Sequence, residues 1–135
     1  MRKDLIVLTA AVLVAGCSAG KDEAAAAQAV VQFHHQLDAA QYEAIYDATT
    51  PEMKASTPKA SFVRFLDAVH RKLGAVKDTK TQGWGVNYNT SGGTVTLTYQ
   101  TQFANGSGTE QFVYRTGSAP ALLGYHINST DLIAN

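Results

Sequence analysis

Hydrophobic and polar positions along this chain follow two different rhythms. Up to about residue 73 the apolar residues recur every three or four positions, and after it they recur every second position. Ala26, Val30, Phe33 and Leu37 form one apolar stripe, which predicts a helix over residues 22–37. Asp22 and Glu23 suit its positive N-terminal end, and Ala24 to Ala27 have high helix propensity. Asp38 to Gln41 reads as a break, after which Tyr42, Ile45 and Tyr46 predict a short second helix ending near Thr49. Thr50-Pro51-Glu52 places an N-cap before a proline and opens a single turn. Thr57-Pro58 repeats the start signal. From Pro58 to Leu73 the residues Phe62, Phe65, Leu66, Val69 and Leu73 share one face, and Gly74 stands where a C-terminal cap is expected.

Beyond Gly74 the rhythm is that of strands. Val95, Leu97, Tyr99, Thr101 and Phe103 alternate with threonines and glutamines, as in a strand with one buried face. Ser91-Gly92-Gly93 turns into this segment, and Ala104-Asn105-Gly106-Ser107-Gly108 turns out of it. Residues 109–116 and 121–128 predict two further strands. Residues 76–90 predict an earlier one, in which Gly83-Trp84-Gly85 marks a bulge or bend. Helices followed by a four-stranded antiparallel meander specify the α+β class, with the helices on one face of the sheet.

The first 17 residues have a different character. Arg2 and Lys3 precede an apolar run of ten residues, Leu5 to Val14. Such a run is shorter than the about 20 residues a membrane-spanning helix needs and has the form of an export signal. Small residues Ala15 and Gly16 follow, and then Cys17, the one cysteine of the chain. Val14-Ala15-Gly16-Cys17 resembles the lipobox of bacterial lipoproteins. The resemblance implies cleavage between Gly16 and Cys17, a diacylglyceryl group on the Cys17 sulfur and an acylated new amine, with palmitate among the chains. Two or three acyl chains hold a protein stably on a membrane, where one does so marginally. Ser18 stands where lipoproteins kept at the inner membrane tend to carry Asp. The expected place in a Gram-negative host is therefore the outer membrane, facing the periplasm. On this reading residues 1–16 are the signal peptide, 17–21 the lipidated cysteine with a short tether, and 22–135 one α+β domain. Ser18 to Lys21, if extended, would reach about 14 Å, which keeps the domain near the membrane.

Removing 16 of 135 residues leaves 119, enough for one self-sufficient core. Without Arg2, Lys3 and Asp4 the 11 basic and 11 acidic residues become 9 and 10, a formal charge of −1. No basic excess attracts nucleic acid, and no polybasic stretch attracts anionic lipid.

Tyr42, Ile45 and Tyr46 within Phe33–Met53, then Gln111-Phe112-Val113-Tyr114-Arg115, a turn, and Leu123-Gly124-Tyr125-His126-Ile127-Asn128-Ser129 carry a second resemblance. They look like the helices and C-terminal end of uncharacterised bacterial lipoprotein domains of the cystatin-like and nuclear transport factor 2-like group. That resemblance implies N-terminal helices packed on a curved four-stranded antiparallel sheet. The group carries no established activity to transfer. The ketosteroid isomerases share this fold, but their pairing of a base with an oxyanion donor is assigned to no residues here.

Candidate chemistry is sparse. His34 and Asp38, four residues apart, share a helix face that is expected to be solvated. Neither His70 nor His126 has the spacing of a third metal ligand, and adjacent His34 and His35 point apart. The chain has no G-x-S-x-G, and the lipid would occupy Cys17. The expectation is accordingly no catalytic residue, no metal and no cofactor. Trp84, Tyr88, Tyr99, Tyr114, Tyr125 and His126 fall in predicted strands, where they either pack the core or line a pocket between helices and sheet. The leading expectation is a non-catalytic envelope lipoprotein whose partners are the membrane, through its lipid, and an envelope protein, added at a sheet edge. The alternative is a small-molecule-binding or enzymatic domain with a pocket between the Pro58-to-Leu73 helix and the sheet. The two differ in whether that space is filled.

Overall fold

The computed structural model describes residues 14–134. Residues 1–13, with the charged start and nearly all the apolar run of the expected signal peptide, lie outside them. Helix α1 spans Val14–Asp38, followed by α2 (Tyr42–Asp47), α3 (Pro51–Ser56) and α4 (Lys59–Leu73). Strands β1 (Val76–Asn89), β2 (Gly92–Phe103), β3 (Gly106–Arg115) and β4 (Ala121–Asn128) come next, and a short α5 (Asp131–Ala134) ends the chain. The strands form one antiparallel sheet in the order β1-β2-β3-β4, and the helices pack on one face of it.

Each helix stripe read from the sequence faces the sheet. Ala26, Val30, Phe33 and Leu37 of α1 are buried, as are Phe62, Leu66, Val69 and Leu73 of α4. Phe65 departs from that stripe. It sits at the rim with its ring centroid 6.0 Å from that of Tyr125. In β2 the alternation holds through the whole strand, burying Val95, Leu97, Tyr99, Thr101 and Phe103.

Local signals fix the element ends. Ala40 takes a positive φ of 56° after α1, at the predicted break. The Thr50 hydroxyl accepts from the Met53 N–H at 3.2 Å, and Pro51 fills the first helical position. That start supports six residues of helix, more than the single turn expected. Gly74 closes α4 with φ 76°, and a Cβ there would meet Ala104 and Asn105 of the β2–β3 turn at 3.1 and 3.0 Å. The same turn is tied down by Ala104 N–H to Ala75 O and Asn105 N–H to Leu73 O, both 2.8 Å. The turn is thus Ala104-Asn105 alone, and Gly106 to Gly108, expected as loop, already pair with β2.

Two further differences concern the ends. The helix expected to begin at residue 22 already runs at Val14, the first described residue, so residues 18–21 are helical instead of extended. Four helical residues rise about 6 Å, less than half the extended reach. The C-terminal α5 was not foreseen. The carboxylate of Asp131 caps the Ser107 N–H at 3.0 Å and ties this turn back to β3.

Leu66 is fully buried between α4 and the sheet. Leu66→Ala should cost about 2–5 kcal/mol of unfolding free energy in urea titrations. Ile133→Ala, at a side chain 88% exposed, should change stability by less than about 0.5 kcal/mol.

Candidate functional site: a buried carboxylate beneath the groove between α1 and β1

In β3 the inward positions are Gly108, Glu110, Phe112 and Tyr114. Glu110 therefore enters the core where an apolar residue is expected, and it is completely buried. Three donors from three elements meet its carboxylate. His34 of α1 brings Nε2 to 2.8 Å from Oε1, and the Thr101 hydroxyl of β2 donates to the same oxygen at 2.6 Å. The Tyr125 hydroxyl of β4 donates to Oε2 at 2.6 Å. Short bonds of this kind are typical of an ionised acceptor. His34 supplies the needed N–H either as the Nε2–H tautomer or as the imidazolium.

Aromatic rings close over the group. Phe112 meets Phe33 edge-on at 5.0 Å between centroids, and the Tyr125 ring lies 4.8 Å from Phe33 and 5.0 Å from Phe112. Burial raises the Tyr125 hydroxyl well above the ordinary phenol range. The negative Glu110 beside it and the bond between them push in the same direction. Tyr114 is also raised, first by burial and then by Tyr99 and Glu110.

The network approaches the surface at His34. His34 lines an open groove of about 300 Å³ between α1 and β1, with Val31, His35 and Asp38 on one bank and Val76 to Thr79 on the other. With Nε2 committed to Glu110, Nδ1 is the nitrogen left to the groove. Asp38 accepts from the Val76 N–H at 3.2 and 3.3 Å, which pins the two banks together at this end.

His34 was expected on a solvated face with Asp38, and the structure corrects this. One turn of helix separates a buried imidazole from an exposed carboxylate, because the stripe through Val30 and Phe33 rotates position 34 toward the sheet. His70 lies with Nδ1 3.9 Å from Asp38, too long for a hydrogen bond, and that nitrogen is buried without a partner. His126 pairs across from Gln111 on the outer face of the sheet, away from the other histidines. Among the described residues no group of three or more His, Cys, Asp or Glu is placed to hold a metal ion. Cys17 lies within the first turns of α1.

The strand aromatics divide into two sets. Tyr99, Tyr114 and Tyr125 gather around Phe112 and, with Leu66, Leu97 and Phe103, occupy the space between the helices and the sheet. Trp84 and Tyr88 lie on β1, where they are 51% and 52% exposed. Glu110, the centre of the network, was not singled out from the sequence. The signal was present in its phase, since it stands two residues before Phe112 and four before Tyr114 on the same side of a strand.

No protein-family model matches the chain, and comparison with curated proteins gives no match. The functional reading therefore rests on the residues themselves.

His34→Ala should destabilise the fold by about 3–5 kcal/mol, because it leaves a buried carboxylate short of a donor. Glu110→Gln keeps an acceptor of the same shape and should cost less, with urea midpoints giving the order. At high pH the sign is fixed by the phenols that folding raises, of which Tyr114 and Tyr125 are shifted furthest. Above pH 10 the unfolded chain releases protons that native Tyr114 and Tyr125 retain, so stability, full below that pH, should fall as pH rises further. Tyr114→Phe removes one of these titrations and should make the decline shallower in denaturation series at increasing pH.

Proposed function

We propose that this chain is a lipid-anchored envelope protein whose domain is a non-catalytic binding module, taking a protein partner along β1. The observation that carries the reading is the state of β1. It is a 14-residue strand at the end of the sheet, paired only with β2, and nearly every residue along it is exposed. An edge of that length offers a row of main-chain donors and acceptors to an extended segment of another protein. The adjoining groove gives alternate side chains of such a segment a place to lie.

The filled interior supports a binding module over a chamber enzyme. Bulky side chains occupy the space between α4 and the sheet where a substrate would have to enter. The strand also carries features that restrain indiscriminate pairing. Its register shifts between Val76 and Asp78 and again between Thr81 and Gly83, with Lys77 inside the first shift and Lys80 between the two. Bulges and lysines of this kind discourage edge-to-edge aggregation, so a partner must match the interrupted register.

The anchor rests on the order of charged start, apolar run, small residues and Cys17. No helix among the described residues is long and apolar enough to cross a membrane. With Cys17 lipidated, the module would face the periplasm from the outer membrane of a Gram-negative host.

Both halves of the proposal meet in one cellular experiment. A photo-crosslinking residue at Gln82, exposed at the β1 bulge, should yield an adduct of one defined mass in membrane fractions. The same residue at Gln111, on the outer face of mid-sheet β3, should yield none. Adducts equal at both sites, or absent at Gln82, would sink the edge-pairing reading. Cys17→Ser should abolish lipid labelling and release the protein from membranes, and retained labelling would sink the anchor.

A further inference from the structure

Helix α1 and strand β1 run in opposite directions along one seam. At one end Asp38 holds the Val76 N–H. At the other, the Tyr88 hydroxyl donates to the Asp22 carboxylate at 2.5 Å. The second half of β1 therefore lies beside the N-terminal half of α1. Cys17 is five residues from Asp22 on the same continuous helix, about 7.5 Å along its axis.

The side chains on that half of β1 are unusual for their position. Trp84, Val86 and Tyr88 stand opposite Leu97, Val95 and Gly93, so they share the helix-facing side of the sheet. Leu97 and Val95 are fully buried, yet Trp84 and Tyr88 are about half exposed. The first half of the strand carries Lys77, Asp78 and Lys80, while Gln82 to Asn89 carries no charge. An uncharged strip bearing an indole and a phenol is thus held beside the residue that carries the lipid.

We propose that Trp84 and Tyr88, either side of the partly buried Val86, form a bilayer-docking surface that enters the headgroup region next to the acylated Cys17. Tryptophan and tyrosine suit that depth because each joins an apolar ring to one polar hydrogen-bonding group. No basic cluster draws the strip to anionic lipid, and the carboxylate beside it, Asp22, is held by the Tyr88 hydroxyl. The surface therefore takes a neutral lipid interface as readily as an anionic one and holds at high salt. It does not compete with a partner strand. Main-chain pairing directions lie in the plane of the sheet and these side chains stand out of that plane, so the two surfaces are distinct. The inference rests on the anchoring proposed above.

Trp84 is the single tryptophan of the chain, so its fluorescence reports this surface alone. The mature lipidated protein would be reconstituted into phosphatidylcholine vesicles, with attachment followed by flotation. Docking predicts blue-shifted Trp84 emission, quenching by lipids brominated close to the headgroup and protection from acrylamide, all persisting when salt is raised. Tyr88→Ser should reduce the bromolipid quenching while the protein still floats. A floating protein whose Trp84 is open to acrylamide and untouched by bromolipid overturns the docking surface, leaves the anchor standing and assigns the strip to a protein contact. Signal lost with added salt overturns the neutral-interface chemistry. A mature protein with no lipid on Cys17 overturns the anchor, and the docking surface with it.

Discussion

A carboxylate buried among phenyl rings must be satisfied where it stands, and the rest of this fold is arranged around that requirement at Glu110. Three donors reach it from α1, β2 and β4, so the bond set spans the helical layer and three of the four strands. Their geometry fixes the rotation of α1 about its axis, because only one helical position can bring an imidazole over the centre of the sheet. It also fixes the phase of β3. A slip of one residue would turn Glu110 to solvent and bring Gln111, now on the outer face, beneath Phe33. Hydrophobic burial supplies the bulk of the stability, and the polar set selects one packing among those that burial alone would allow.

The architecture was legible because two periodicities were clean. The stripes of α1 and α4 and the alternation of β2 each have a residue at nearly every expected position, and those are the surfaces that meet. Element ends written in capping chemistry, such as Thr50-Pro51 and Gly74, were legible too. The site was not. Its four polar members lie at positions 34, 101, 110 and 125, and nothing local joins them. Thr101 was placed on the buried face of β2, but its hydroxyl has no meaning there until Glu110 arrives from the next strand. His34 was read through its neighbour Asp38, although its partner lies 76 positions away. The early start of α1 was missed for a related reason. Gly20 weakens helix propensity, yet the turns on both sides of it continue the helix that Val30 and Phe33 dock on the core.

The sheet is covered unevenly. Strands β2, β3 and β4 lie beneath the helices, while β1 extends beyond their cover and keeps both faces largely open to solvent. In a fold that buries so much aromatic area elsewhere, this cannot be put down to a shortage of apolar residues, since Trp84 stays half exposed and Tyr88, laid over Gly93 and bonded to Asp22, keeps half its surface open. The seam of α1 and β1 is therefore where interior order and outward reach meet, with His34 belonging to both.

The continuity of α1 has a consequence for the volume this domain can search. A flexible leash lets an attached domain sweep a hemisphere, and the local concentration of any target falls as roughly the three-halves power of the leash length. Here the helix that carries position 17 is the same helix that inserts Phe33 and His34 into the core, so position 17 and the α1–β1 seam belong to one continuous element. Anchored there, the domain would trade reach for a fixed height and bearing. It would meet only targets delivered to the membrane, and would meet them with little orientational entropy left to lose.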